Sequence, residues 1–154
     1  MKRELIGAAR RRLARTGRRT RHVDIRRAIS DGYYALFHAL AQMCADELIG
    51  GNRRSTEAWA RVYRALEHGA AKRNLQRTAK ENLAERELIA FASTFVRMQE
   101  LRHDADYNPR PPAFNRIDAL TLIDEVEQAI RLLDQLDFFR KRSLATEILL
   151  KERA

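Results

Sequence analysis

Apolar residues recur every three or four positions along most of this chain, which is the spacing of one face of an amphipathic helix. The longest stripe lies in a second helix that Asp24 is expected to cap and that Gly50 and Gly51 are expected to end. Its members are Ile25, Ile29, Tyr33, Leu36, Leu40 and Met43. Such a stripe predicts a long helix with one face buried in a bundle.

Two further stripes predict helices in the second half of the chain. One helix is expected to start near residue 81 and to end before the proline cluster 109–112, because proline cannot continue a helix. Its apolar side carries Leu88, Phe91, Phe95 and Met98. The other is expected over about 115–136, with apolar residues at heptad-like spacing.

Weaker patterns complete the prediction. A first helix is expected over about 3–15, ended by Gly17, and a third from Ser55 to His68. The polar stretch 70–80 is interpreted as a loop or a weak helical continuation, and residues 138–153 as a sixth helix. Nothing alternates as a strand does. We therefore predict one all-α domain over 1–154, an antiparallel bundle of four to five helices, with a basic helix and turn at 1–22 and an additional C-terminal helix at 137–154.

Composition agrees with a globular helical domain. The 154 residues include only six glycines and three prolines, and a chain of this length buries roughly 70% of its unfolded surface without staples. Cys44 is the only cysteine, so no internal disulfide can form, and its apolar neighbours favour a core position. No apolar run reaches the roughly 20 residues of a membrane span. A cytoplasmic protein without a membrane partner is the resulting expectation.

The net charge of +9 is unevenly distributed. Residues 1–27 hold eleven Lys and Arg against two acids, whereas the rest of the chain is balanced. A basic cluster of this kind attracts the phosphates of RNA or DNA. The alternative is a solvated arginine-rich helix face, since Arg outnumbers Lys 25 to 5 in the whole chain.

Polar side chains interrupt the core pattern in two helices. In the second, Arg26, Ser30, Tyr34 and His38 follow each other at i, i+4 and share one face. In the fourth, the apolar stripe continues into Arg102 and then Asp106. If the bundle brings these helices together, the two sets meet in one cluster. Alternatively, Arg102 and Asp106 form only a local ion pair, Tyr34 and Tyr107 are core rings, and His38 is a hydrogen-bonded structural histidine.

Other chemistries have little support. Four scattered histidines and one cysteine give no zinc spacing, so neither a metal nor another cofactor is expected. A glycine-rich phosphate loop and a nucleophile elbow are also missing from the sequence.

Three segments together carry a family resemblance. They are RRAISDGYYALFHALAQMCADELIG, an aromatic stretch containing WARVYRALEHG, and LRHDADYNP. Over about 23–110 the chain resembles the HEPN domain family, in particular small bacterial stand-alone members with the YYALFHA helix and an R-x-x-A-D-Y signature. The resemblance implies an antiparallel helical bundle, usually a homodimer whose motif residues face a shared cleft. It also implies RNA or nucleotide binding, since many members are metal-independent ribonucleases, often toxins paired with a nucleotidyltransferase.

The resemblance also suggests site residues. In the ribonuclease signature an arginine holds the scissile phosphate and a histidine, separated from it by four to six residues, activates the 2′-hydroxyl. Arg102 matches that arginine, but Tyr107 or its neighbours stand at the histidine position and no histidine follows. His68 and His103 do follow arginines, Arg61 and Arg97, at comparable spacing, but an arginine-rich chain produces such pairs by composition.

The candidate site therefore has two overlapping sets. The candidate catalytic residues are Arg102, Asp106, Tyr107 and His38, and the candidate phosphate-binding residues are Arg26, Ser30, Tyr34 and Arg102.

Three functions remain open at this point. The first is a dimeric protein that binds RNA or a nucleotide, in a toxin–antitoxin or defence-type system with a nucleotidyltransferase or antitoxin partner. The second is a catalytically silent interaction module that acts through a partner protein. The third is an active metal-independent ribonuclease with His38 or His103 as its base. In each case, abundant apolar residues after position 135 favour self-association; the alternative is that this segment folds back on its own core.

Overall fold

The computed structural model describes residues 1–14 and 21–151, and within these ranges the chain is helical with no strand. The prediction of an all-α bundle is thereby confirmed. The elements are α1 (Lys2–Leu13), α2 (His22–Leu48), a short 3₁₀ turn (Gly51–Arg53), α3 (Glu57–Arg64), α4 (His68–Glu81), α5 (Arg86–Tyr107), α6 (Arg116–Gln135) and α7 (Phe138–Leu149). Over the same ranges, none of these helices combines the length and the apolar character that crossing a bilayer requires.

Helix α2 is the centre of the bundle and packs against α1, α3, α5, α6 and α7. Small residues on its surface let the neighbours approach closely. At Gly32 a Cβ atom would lie 2.9 Å from the Ile123 side chain of α6 and 3.1 Å from the Met98 side chain of α5. The two helices therefore close over α2 at this point, which lies between Ser30 and Tyr34 in the sequence.

Two predicted helix starts are wrong by a few residues. Helix α2 begins at His22, so Asp24 lies inside its first turn and makes no cap hydrogen bond. Its negative charge there interacts favourably with the helix dipole. Helix α3 is capped by Thr56 rather than Ser55, and the Thr56 hydroxyl accepts from the Trp59 N–H at 3.3 Å. Helix α3 also ends at Arg64 instead of continuing to His68, which begins the next helix.

The stretch at 70–80, for which the sequence predicts either a loop or a weak helical continuation, is the main part of α4. Its apolar face is narrow, with Ala71, Leu75 and Thr78 as the buried residues. Only one of these is a large apolar side chain, so the periodic signal is faint although the face is covered by α5 and α7. A turn at 82–85 follows, and α5 therefore begins at Arg86 rather than near residue 81.

Helix α6 begins with a complete capping box. The Asn115 side chain accepts from the Asp118 N–H at 2.9 Å, and the Asp118 carboxylate accepts from the Asn115 N–H at 3.0 Å. We expect Asn115→Ala to lower the free energy of unfolding by about 1 kcal/mol, because one backbone donor loses its partner. Urea unfolding followed by circular dichroism measures this, and Gln135→Ala, an exposed position at the other end of α6, is the matched control. Equal effects of the two substitutions would contradict the prediction.

The basic N-terminal helix is held by acidic partners. Lys2 lies 3.1 Å from Asp134, and Arg12 lies 2.9 Å from Asp31. Arg10 contacts both Asp124 and Glu127 of α6, at 2.7 and 2.6 Å. These cations therefore dock α1 on the bundle. The predicted end of this helix at Gly17 lies outside the described residues, as do Arg15, Arg18 and Arg19 of the basic segment.

Candidate functional site

The last turn of α5 meets the first half of α2 through Asp106. Its carboxylate accepts from the Ser30 hydroxyl at 3.0 Å and lies 2.8 Å from Nε of Arg102. The Nε–H group of Arg102 is buried and not directed at the Asp106 oxygen, so the Arg102–Asp106 contact is an ion pair rather than a well-aligned hydrogen bond. The local pair predicted from the i, i+4 spacing exists, and Asp106 also joins the two helices.

Two tyrosine rings hold the Arg102 guanidinium. Its central carbon lies 5.3 Å from the centre of the Tyr34 ring and 5.7 Å from that of Tyr33, both within the range of a cation–π interaction. The side chain is 22% exposed. Among the described residues, the two outer nitrogens have no hydrogen-bond partner and are not sealed from solvent. Arg102 is thus held in place with its outer edge available to an anion.

His68 lies close to Arg102, although its only signal in the sequence is the spacing from Arg61, which composition also explains. Its Nδ1 is 2.6 Å from the Tyr33 hydroxyl, and its ring stacks on Phe37 with 4.1 Å between ring centres. The Gln99 side chain donates to its backbone oxygen at 3.3 Å. Burial lowers the pKa of His68, and the positive charge of Arg102 lowers it further. The imidazole is therefore mainly neutral at pH 7.

His38 also pairs with a tyrosine hydroxyl, on the side of Tyr34 away from Arg102. Its Nδ1 lies 2.6 Å from the Tyr63 hydroxyl of α3, and the two rings are nearly parallel. Burial lowers the pKa of His38, with smaller contributions from the positive chain N-terminus and from His68. His38 does not touch Arg102. The Tyr34 ring lies between them, 6.4 Å from the His38 ring.

Two other predicted residues occupy different positions. The Arg26 guanidinium donates to the backbone oxygens of Ala105 and Arg110, so it closes the end of α5. Tyr107 is 69% exposed, and its ring packs against His103 at 4.8 Å. Arg26, Asp106 and Tyr107 line an open cleft of about 630 Å³ at this end of α5. The structure therefore groups Ser30, Tyr34, Arg102 and Asp106 closely, with Arg26 and Tyr107 at one margin and His38 at the other.

Tyr33, Tyr63 and His68 are the site residues that sequence reasoning missed. Tyr33 belongs to the predicted apolar stripe of the second helix and Tyr63 to the aromatic stretch WARVYRALEHG, but each hydroxyl reaches a histidine. Burial strongly raises the pKa of Tyr33, so its hydroxyl keeps its proton and can donate to His68. The sequence contains two weak signals. One is the Tyr33–Tyr34 doublet at the edge of the stripe, since adjacent helical positions cannot both face the core centre, and the other is the spacing of His68 from Arg61.

Metal and thiol chemistry have no site in the part of the chain that the structure describes. No group of three His, Cys, Asp or Glu side chains in residues 1–14 and 21–151 is arranged to hold a metal ion. Cys44 is buried, and burial raises the pKa of its thiol to about 12, which makes it unreactive at neutral pH.

The two histidines predict a pH dependence of stability. The unfolded state binds more protons than the folded state in the window below about pH 6.5, because the pKa of each histidine is lowered on folding. We therefore expect the free energy of unfolding to fall as the pH is reduced from 7 to 5. Urea unfolding at half-unit pH steps measures the slope. His68→Gln should reduce it, whereas His103→Gln, at an exposed position, should not, and equal slopes in all three proteins would contradict the assignment.

No protein-family model, curated protein or solved structure matches this chain in the three comparisons made.

Proposed function

We propose that this protein binds RNA or a nucleotide, with the phosphate held at Arg102. The observation that carries the proposal is the state of this guanidinium, whose position is set by Tyr33, Tyr34 and Asp106 while its outer nitrogens lack protein partners among the described residues. Arginine binds phosphate oxygens through two parallel N–H bonds, and a guanidinium already fixed in place loses less entropy on binding.

The surroundings favour a nucleotide over a free anion. Asp106 offsets much of the Arg102 charge, so a single small anion gains little at this position. Tyr34 and His68 add ring faces and polar edges near the guanidinium, and His38 adds another beyond Tyr34. A ligand that combines a phosphate with an aromatic base and ribose hydroxyls uses all of these groups, which neither inorganic phosphate nor an acidic peptide does.

The resemblance to the HEPN domain family extends the proposal. On that basis we place the protein in a bacterial toxin–antitoxin or defence-type system, as a cytoplasmic homodimer that works with an antitoxin or nucleotidyltransferase partner. Exposed apolar side chains at both ends of α7 support self-association. They are Phe138 and Phe139 at its start and Leu150 just after its end.

Metal-independent ribonuclease activity is the second candidate. It is favoured by two imidazoles whose pKa values are lowered, one of them, His68, close enough to Arg102 for that charge to contribute to the lowering. A neutral imidazole can take the proton of a ribose 2′-hydroxyl as this oxygen attacks phosphorus. The P–O5′ bond then breaks, a 2′,3′-cyclic phosphate remains, and the departing 5′-oxygen takes a proton from water. Both histidines have Nε2 free of partners among the described residues, because Nδ1 makes the contact with tyrosine.

A salt titration of RNA binding tests the first candidate. Labelled single-stranded RNA is titrated with the protein, and anisotropy reports binding between 50 and 200 mM salt. With two or three phosphate contacts, affinity is expected to fall about tenfold over this range, because each contact releases condensed counterions. Absence of binding at 50 mM salt would remove the proposal and favour a silent interaction module.

Cleavage is tested separately. The same RNA is incubated with protein from pH 5 to 9, with and without a chelator, and the products are separated by size. Products that persist with chelator and disappear in His68→Gln or His38→Gln support a ribonuclease. Intact RNA at every pH excludes this activity while leaving the binding proposal unaffected.

A further inference from the structure

A row of side-chain rings extends from Arg102 across α2 to α3. From the guanidinium the row passes to Tyr34, then His38, then Tyr63 and finally Trp59. Its neighbouring ring centres lie 6.4, 5.8 and 4.9 Å apart, and the last three rings are within 26° of parallel from one to the next. We call these four residues the aromatic row.

The aromatic row is partly open to solvent and firmly held. All four rings are half-buried, in contrast to Tyr33, which is fully buried. The Trp59 indole N–H donates to Asp46 at 3.0 Å, and Asp46 is held in turn by Arg54 at 2.6 Å. The Tyr63–His38 and Trp59–Asp46 hydrogen bonds pre-organise three of these rings, so little side-chain freedom is lost when a flat ligand covers them.

Positive charge lies at both ends of the aromatic row. Arg102 lies at one end. Near the other end, Arg53 and Arg61 are exposed and have no ion-pair partner among the described residues. Asp46, the carboxylate that contacts Trp59, is already neutralised by Arg54. An elongated ligand with repeated negative charges and flat apolar rings therefore matches this surface.

We propose that the aromatic row is a stacking platform for the unpaired bases of a single-stranded RNA whose phosphate is held at Arg102. This inference rests on the proposed function and adds the substrate class. Stacking of a base on an aromatic side chain contributes on the order of 1–3 kcal/mol for any base, whereas paired bases in a duplex present no free face. The protein then prefers single strands over duplexes and shows little preference for sequence.

The chain contains a single tryptophan, Trp59, which makes the row directly observable. Binding of a ten-nucleotide single-stranded RNA should quench its fluorescence. An abasic ribose-phosphate oligomer of the same length, which keeps the charges but has no bases, should bind at least about fivefold more weakly and leave the fluorescence unchanged. An RNA duplex should also bind more weakly than the single strand.

Two variants test the contribution of the ring, with binding followed by the anisotropy of labelled oligomers. Trp59→Leu should weaken binding of the single strand about tenfold and leave binding of the abasic oligomer unchanged. Trp59→Phe loses the same contact with Asp46 but keeps a ring, so it should retain most of the affinity. Thermal unfolding of both variants shows whether α3 remains folded.

The possible failures are distinguishable. Equal affinity for the two oligomers, or equal losses in Trp59→Leu and Trp59→Phe, would overturn the stacking platform and leave the phosphate site at Arg102 standing. Failure of every oligomer to bind would overturn both proposals.

Discussion

Replacing Arg102 with alanine is expected to weaken the binding of single-stranded RNA at least about tenfold at 50 mM salt. The substitution removes the only guanidinium that both lies over the tyrosine rings and directs unpaired nitrogens outward within the described residues. A charge-assisted, two-bond contact with phosphate contributes about 1.5–3 kcal/mol to binding. A tenfold loss of affinity corresponds to about 1.4 kcal/mol and is therefore the minimum expected. Anisotropy of labelled RNA measures the change, and the salt dependence should become shallower because one phosphate contact is lost.

Arg97→Ala is the matched control for this experiment. Arg97 lies on the same helix and pairs with Glu125 of α6 at 2.7 Å, in an exposed position. Its removal changes the net charge by the same amount, so it reports the loss of general electrostatic attraction. Arg102→Lys keeps the charge but not the planar pair of donors and should give an intermediate affinity. Equal losses for Arg97→Ala and Arg102→Ala would mean that the protein attracts RNA without a defined site.

Stability has to be followed in the same variants. Asp106 keeps its hydrogen bond from Ser30 when Arg102 is removed, but its charge loses a partner. A double variant, Arg102→Ala with Asp106→Asn, removes this unpaired charge and separates a folding defect from a binding defect. If the double variant is as stable as the parent protein and still fails to bind, the loss belongs to the site.

Arg140→Met is expected to give the largest loss of stability, about 3 kcal/mol in the free energy of unfolding. The Arg140 side chain is only 14% exposed. It lies 2.5 Å from Glu85, just before α5, and 2.9 Å from Glu147, which is further along the same face of α7. It therefore holds α7 against the α4–α5 turn. Removing it leaves two partly buried carboxylates without a counter-charge. Loss of one partner from such an ion pair costs more stability than replacement of both partners by apolar residues.

Urea unfolding measures this change, and Arg142→Met is the control. Arg142 is on the same helix, but its guanidinium lies over the exposed Phe138 ring at 4.3 Å, so its removal should cost less than about 1 kcal/mol. Adding Glu147→Gln to Arg140→Met should recover part of the loss, because one unpaired charge disappears. A loss below 1 kcal/mol in Arg140→Met would show that water already screens the network.

The sequence by itself determined the helical class and much of the local chemistry. Apolar residues at 3.6-residue spacing predicted α2, α5 and α6, and the prolines after Asn108 ended α5 as expected. The Arg102–Asp106 pair is also local, because side chains four apart on a helix are neighbours wherever that helix packs. Helix α4 was harder to predict, since its buried face is formed mainly by Ala71, Leu75 and Thr78 and carries little periodic signal.

Only the tertiary structure decided which side chains form the site. Tyr33 meets His68 across 35 positions and Tyr63 meets His38 across 25, and Arg26, a candidate phosphate ligand, closes the end of α5 instead. Periodicity within a helix states which face is buried, but not how far the helix is rotated or displaced relative to its neighbours. Those quantities come from side-chain packing between helices, such as the close approach of α5 and α6 over Gly32, and they bring distant residues together.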